Sequence, residues 1–174
     1  PWGLSKYLNL GSSNELPRPA LTQNSYNLLN RTFDAGLAEI SLREQCPLLA
    51  YSPLAGGRLT GKYLNNARPN GARYSVWPGP DGRYHNQGVN EAISKYSEIA
   101  ARYNLTLTDM SWAFVLSRPF IASMILGVKH KSQLQKALAS VDVRISEELK
   151  AEIDLVHQSN PNPAITGVMS HRIK

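Results

Sequence analysis

A single cysteine, Cys46, stands among 174 residues, which excludes an intramolecular disulfide framework and leaves the fold to packing alone. Its place just before an apolar run reads as a small buried hydrophobe rather than a reactive thiol, and the expected compartment is reducing and cytoplasmic. No run of about 18 apolar residues occurs, so no membrane-spanning helix is expected. The first residues carry no basic-then-apolar leader pattern either. The histidines, His85, His130, His157 and His171, lack metal-ligand spacing and have no cysteine or carboxylate cluster beside them, so no metal is assigned. The formal charge of +6, from 19 Lys and Arg against 13 Asp and Glu, raises nucleic acid as a partner. No segment gathers that charge into a basic run or an aromatic-interleaved stripe, and neither nucleic acid nor membrane is expected as a partner.

What is present is enough for a core: 42% of the residues are hydrophobic, and the length fits one domain, or a large piece of one, over residues 1–174. The chain opens at Pro1 on "WGLSKYLNL", whose Trp2, Leu4, Tyr7, Leu8 and Leu10 could line one side of a helix. That reads as a start in mid-fold. After prolines 17 and 19, the run Ala20 to Thr22 reads as a first strand ending in the polar Gln23 and Asn24. Phe33, Leu37, Ile40 and Leu42 follow at helical spacing up to Pro47. Leu48 to Tyr51 is continuously apolar, which predicts a second strand covered on both faces.

Asn65 to Gly88 is a long Gly-, Pro-, Asn- and Arg-rich connection, read as a functional loop. A helix is predicted from near Asn90 to Tyr103 on Val89, Ile93, Tyr96, Ala100 and Tyr103, and another from Thr108 as N-cap to just before Pro119. "FIASMILGVKH" reads as a third strand ending at Gly127, Val128 and Lys129. Ser132 is the expected cap of a helix with the stripe Leu134, Ala137, Leu138 and Val141. Ser146 is the expected cap of a last helix through Leu149, Ile153 and Val156, before a loose tail after Asn160.

Strands alternating with helices predict parallel β-α units, with ligands held at the carboxyl ends of the strands. At the end of the second strand stands "SPLAGGRLTGKY". Pro53 stops the ladder, Gly56, Gly57 and Gly61 permit close backbone approach, and Ser52, Arg58, Thr60 and Lys62 offer hydroxyl and cationic donors. A phosphate-bearing ligand suits that set; an ordinary glycine-rich surface loop is the alternative, and this stretch alone leaves both open.

Three stretches in this order, "TQNSYNLLNR", "LLAYSPLAGGRLTGKYL" and "MILGVKHKSQLQKAL", resemble strands six, seven and eight of the aldo-keto reductase (β/α)8 barrel. Within that family they look most like its Tas-like, potassium-channel β-subunit-like branch. The resemblance implies a partial TIM barrel of the α/β class, with about five strands preceding Pro1. It implies NADP(H) as cofactor and a small aldehyde or ketone as substrate of the intact enzyme. Carried over by position, Gln23 would hydrogen-bond the nicotinamide carboxamide and Tyr51 would lie flat on its ring. Ser52, Pro53, Leu54, Ala55 and Gly56 would wrap the pyrophosphate, with Lys62 and Arg73 adding charge. Gly127, Lys129, Gln133 and Lys136 would stand at the adenosine end, although Ala137 and Lys136 depart from the family's usual residues. The family's tyrosine acid and its lysine, histidine and aspartate companions come from the other half of the barrel, so catalytic residues are not expected in this chain. Alone it is expected to be inactive, with open sheet edges that favour self-association or pairing with a missing half. A cofactor-sensing, regulatory subunit is the alternative that the channel-subunit likeness permits.

The turn "GVKHKSQLQK" gives an independent reason to expect NADP(H) over NAD(H). Lys129, His130 and Lys131 would oppose a helix dipole beginning at Ser132, at a cost of about 0.3 to 1 kcal/mol per exposed charge. A phosphate bound there would account for them.

Overall fold

The computed structural model describes residues 1–13, 17–77 and 82–164. Three short strands, β1 (Thr22–Ser25), β2 (Leu48–Tyr51) and β3 (Ile121–Met124), form one parallel sheet in the order β1-β2-β3. Thr22 pairs with Leu48 and Ser25 with Tyr51; on the other side Leu49 pairs with Ser123 and Ala50 with Met124, across an irregularity beside Leu48. Parallel strands need long crossovers, and here they contain helices. The fold is α/β with a parallel sheet, as the apolar strand pattern predicts.

The helices are α1 (Trp2–Ser13), α2 (Leu37–Arg43), α3 (Arg73–Val76), α4 (Gln87–Arg102), α5 (Leu107–Leu116), α6 (Lys131–Ala139) and α7 (Glu147–Ser159). Leu48 and Ala50 on β2 share one core with Val89, Ile93 and Tyr96 of α4, Met110 and Phe114 of α5, and Leu149, Ile153 and Val156 of α7. Tyr26 lies at its centre, stacked on Phe114 with 6.0 Å between ring centres and meeting Phe120 edge-on at 5.3 Å. Side chains alternate between the two faces of a strand. The other face carries exposed Gln23, Tyr51 and Ser123, a partly exposed Leu49 and, beside Tyr51, a buried Ser25. The expectation that both faces are covered is therefore corrected: the helices bury one face only.

Several boundaries move for local reasons. The helix expected over Phe33 to Leu42 divides into a 3-10 turn at Thr32–Asp34 and α2, because Gly36 takes φ +90° between them. In α1 only Leu8 of the proposed side is fully buried, while Trp2 and Tyr7 face solvent. Thr106, not Thr108, caps α5: its side chain accepts from the Asp109 N–H, 3.1 Å away. Asn86 caps α4 in the same way through Val89, and Ser146 caps α7 through Leu149 as expected. The third strand stops at Met124, well short of His130. The 65–88 connection is not structureless, since it holds α3 and two 3-10 turns; residues 78–81 lie outside the described residues.

A charged network ties the segment after β1 to α7 and to the residues before β3. Arg31, buried beside the aromatic core, reaches Asp34 at 3.0 Å and Asp154 of α7 at 2.6 Å. Asp34 also accepts from Tyr26 Oη and pairs with Arg118. The guanidinium is thus neutralised twice, the condition under which a buried charge is tolerable. Of the tail expected to be loose after Asn160, residues 161–164 are held in place. The Asn162 side chain accepts from Arg31 N–H at 2.6 Å, and Ala164 N–H donates to Leu29 O at 3.2 Å. Residues 165–174 lie outside the described residues. Cys46 is buried and free, and desolvation pushes its thiol pKa up, in line with a packing role.

Candidate functional site

Because the strands are parallel and adjacent, their carboxyl ends, Ser25, Tyr51 and Met124, lie along one rim of the sheet. That places Gln23, Tyr51 to Gly56 and the 125–129 segment on a common side. Gln23 and Tyr51 both belong to the open face, so a carboxamide and a phenol ring stand exposed near the end of neighbouring strands.

Immediately after Tyr51 the backbone turns left-handed at residues where a side chain makes that costly. Ser52 has φ +55° and Ala55 φ +50°, followed by Gly56 at +67° and Gly57 at +94°. Non-glycine residues held there cost of order 1 to 3 kcal/mol each, and such strain gathers at ligand-binding turns. The surroundings enforce it. Asn27 Nδ2 donates to Ser52 O at 2.9 Å, Ala55 N–H closes a turn onto Ser52 O at 2.9 Å, and Gly57 N–H donates to Leu54 O at 2.8 Å. Leu54 in the bridge region followed by left-handed Ala55 has the alternation that makes a backbone concavity for an anion.

The turn's glycines answer to protein neighbours as well. A Cβ on Gly56 would come within 2.3 Å of Tyr74 Oη, and one on Gly57 within 3.4 Å of Lys62 Nζ. Lys62 therefore folds back across the turn, 5.1 Å from the centre of the Tyr63 ring. Tyr74 anchors α3 to it, which carries exposed Arg73 to the same neighbourhood. Gln23, Tyr51, Ser52 to Gly56, Lys62 and Arg73 are thus assembled around one strand end. Nothing in the residue pattern marked Asn27 or Tyr74 as the supports of this turn.

The rim beyond β3 departs from expectation in one respect. His130, not Ser132, precedes the first residue of α6, so Lys131 belongs to the first helical turn. Gln133 turns its side chain inward: Oε1 accepts from Lys129 N–H at 2.8 Å and from His130 N–H at 3.2 Å. Those two donors are consequently not open to an anion, and Gln133 keeps only its amide hydrogens for a ligand. Lys129, Gly127 and Lys136 are exposed, and Ser132, Gln133, Gln135, Lys136 and Ala139 line a shallow groove of about 590 Å³. The stripe Leu134, Leu138 and Val141 is also exposed; only Ala137 of that set is buried.

Arg58, in the 3-10 turn after Tyr51, is buried with its Nη2 on Asn90 Oδ1 at 2.6 Å. Burial lowers its pKa, an effect that Tyr74 and Tyr63 partly oppose. Among the described residues no three His, Cys, Asp or Glu side chains are grouped to hold a metal ion, and no helix is long and apolar enough to cross a membrane.

Residues 3–158 match the model of the family described as Aldo/keto reductase family. The chain is similar to Protein tas of Escherichia coli strain K12, 44% identical over 163 residues that take in 94% of this chain and 47% of that protein. It is also similar to a probable voltage-gated potassium channel subunit beta of Arabidopsis thaliana, 28% identical over 92% of this chain and 48% of that one. Among solved structures, a glycerol dehydrogenase from Gluconobacter oxydans superimposes with a TM-score of 0.68 over 88% of this chain and 47% of its own. At 18% identity that likeness is one of fold. The chain spans about half the length of these relatives.

Proposed function

This chain belongs to the aldo/keto reductase family, and we propose that it forms the cofactor-binding C-terminal part of an NADPH-dependent reductase of aldehydes or ketones. In this reading β1, β2 and β3 are strands six to eight of a (β/α)8 barrel. One observation carries it: the open sheet face carries exposed Gln23 and Tyr51 on neighbouring strands, beside a strained, left-handed turn that Lys62 crosses. A buried strand pair with an idle face has no use for such a rim; a barrel interior does.

The residues fit a dinucleotide by the chemistry of their groups. Tyr51 offers an exposed aromatic face for a flat heterocycle, and Gln23 offers both a donor and an acceptor to a carboxamide. The backbone of Ser52, Pro53, Leu54, Ala55 and Gly56 presents the concavity for a pyrophosphate, whose charge Lys62 and Arg73 offset. Lys129, with Gly127 leaving room and Lys136 on the groove, faces a 2′-phosphate, while Gln133 holds that turn in shape. The chemistry that a bound nicotinamide supplies is hydride delivery to a carbonyl carbon. This chain's own residues bind and orient; the proton donor belongs to the other half of the barrel, and the chain alone is inactive.

The test is made on the intact protein, where Tyr51→Ala weakens NADPH binding by about 1 to 3 kcal/mol, as loss of base stacking does, with the melting temperature nearly unchanged. A lower melting temperature at unchanged affinity would make Tyr51 a packing residue. Lys129→Ala raises the dissociation constant for NADPH far more than for NADH, and equal changes would refute the phosphate assignment. The likeness to a potassium channel β subunit favours a second reading, a cytoplasmic cofactor-sensing subunit. Tight NADPH binding without carbonyl turnover by the intact protein would select it.

A further inference from the structure

Two arginines are buried among the described residues, Arg31 at 8% and Arg58 at 7% exposure, and their surroundings differ. Arg31 has two carboxylates. Arg58 enters no ion pair there; its Nη2 meets the neutral Asn90 carboxamide, its Nε is buried without any hydrogen-bond partner, and its guanidinium stands 5.7 Å from the Tyr63 ring centre. A buried guanidinium without an anion is a costly arrangement. It is also one with a direction, because Arg58 lines a cleft of about 320 Å³ together with Tyr63, Asn66, Arg68, His85 and Asn90. Among the described residues that wall holds two arginines and two carboxamides and no Asp or Glu.

We propose that this cleft is a binding site for a small anionic molecule bearing a carboxylate or a phosphate, with Arg58 as its buried anchor. The guanidinium fork pairs with either group through charge-assisted hydrogen bonds. Exposed Arg68 draws the anion in and covers its outer side, and Asn66 offers a neutral amide donor. The volume suits a ligand at the small end of the usual pocket range, about 300 Å³ upward. None of Ser52 to Gly56, Lys62 or Arg73 lines the cleft; Tyr74 and Tyr63, which do, back onto Gly56 and Lys62, so the cleft adjoins the turn but uses none of its proposed pyrophosphate contacts and stands whether or not that reading does.

Inorganic phosphate and malonate, titrated separately into the intact protein at constant ionic strength with and without saturating NADPH, test it by calorimetry. The expected result is saturable binding of one probe or both that persists with NADPH present; the probe bound tighter identifies the head group. Arg58→Gln weakens it about tenfold or more, the loss of a charged hydrogen bond. Arg68→Ala, an exposed change that keeps the fold, weakens it about two- to fivefold, so the proposal remains testable if Arg58→Gln does not fold. No saturable binding of either probe, binding abolished by NADPH, or equal binding by the wild type and both variants would each overturn it.

Discussion

Helices α6 and α7 carry the same kind of apolar stripe and meet opposite fates. In α7, Leu149, Ile153 and Val156 are 2%, 0% and 7% exposed, sunk against α4 and the aromatic core. In α6 and just beyond it, Leu134, Leu138 and Val141 are 42%, 63% and 58% exposed. Periodicity establishes that a helix has an apolar face; it does not say what covers that face. The same contrast runs through the sheet, where Leu48 and Ala50 are sealed while Gln23 and Tyr51 on the opposite side stand open. One side of the molecule is finished within this chain and the other stands open.

The largest effect expected from breaking the comparison lies in α7. Ile153→Ala removes a side chain with no exposure and should cost about 3 to 4 kcal/mol. Leu138→Ala in α6 should change the stability of the 174-residue chain by less than about 0.5 kcal/mol, as exposed substitutions do. In the intact protein, if the stripe is covered there, Leu138→Ala rises toward the Ile153 value. Denaturant midpoints of the two variants in both contexts check this, and a negligible Leu138 effect in the intact protein would leave the stripe without a cover.

The finished side was the more legible one in the sequence. Leu48–Tyr51 falls at its predicted bounds, and Val89, Ile93, Tyr96, Leu149, Ile153 and Val156 are buried as their spacing requires. Local signals and tertiary environment agree there. The misses lie where a local signal was ambiguous or a contact was long-range. Thr106 and Thr108 are both acceptable caps by type, and only backbone geometry chooses between them. The sequence points Gln133 toward a ligand, yet its carbonyl satisfies the turn before α6. Asn162, held to Arg31 across the chain, could not be distinguished from any polar tail residue. Of the site, the glycine-rich turn and its lysine were visible as a pattern; its supports, Asn27 and Tyr74, depend on contacts that spacing does not encode.

Gly56→Ala, an effect of middle size, probes the border between the two sides. It puts a side chain at φ +67° and a Cβ 2.3 Å from Tyr74 Oη, at a cost of about 1 to 2 kcal/mol. Adding Tyr74→Phe removes the nearest clashing atom and should restore part of that loss, measured as a coupling in a double-mutant cycle. Strict additivity would show that Tyr74 does not limit this turn.

The smallest effect concerns pH and the finished side. His157 of α7 is partly buried with Nδ1 sealed and unpartnered, and its pKa is lowered from the ordinary 6.5, first by burial and then by the positive charge of Arg31, against the opposing pull of Asp34 and Asp154. The folded state therefore favours neutral imidazole, and below pH 6.5 the unfolded chain binds more protons. The stabilisation is fully present above 6.5 and is lost as pH falls through the folded value. Glu148 and Glu152 have carboxyl pKa values below the ordinary 4.5, chiefly through hydrogen bonds from Ser146 and Tyr103 respectively. Their contributions are lost only at lower pH, so between 6.5 and 4.5 His157 is read apart from these two carboxylates. In His157→Gln the fall in melting temperature from pH 7 to pH 5 should shrink, while the further fall below pH 4.5 remains. A variant that kept the full slope between pH 7 and pH 5 would place that proton uptake elsewhere than on α7.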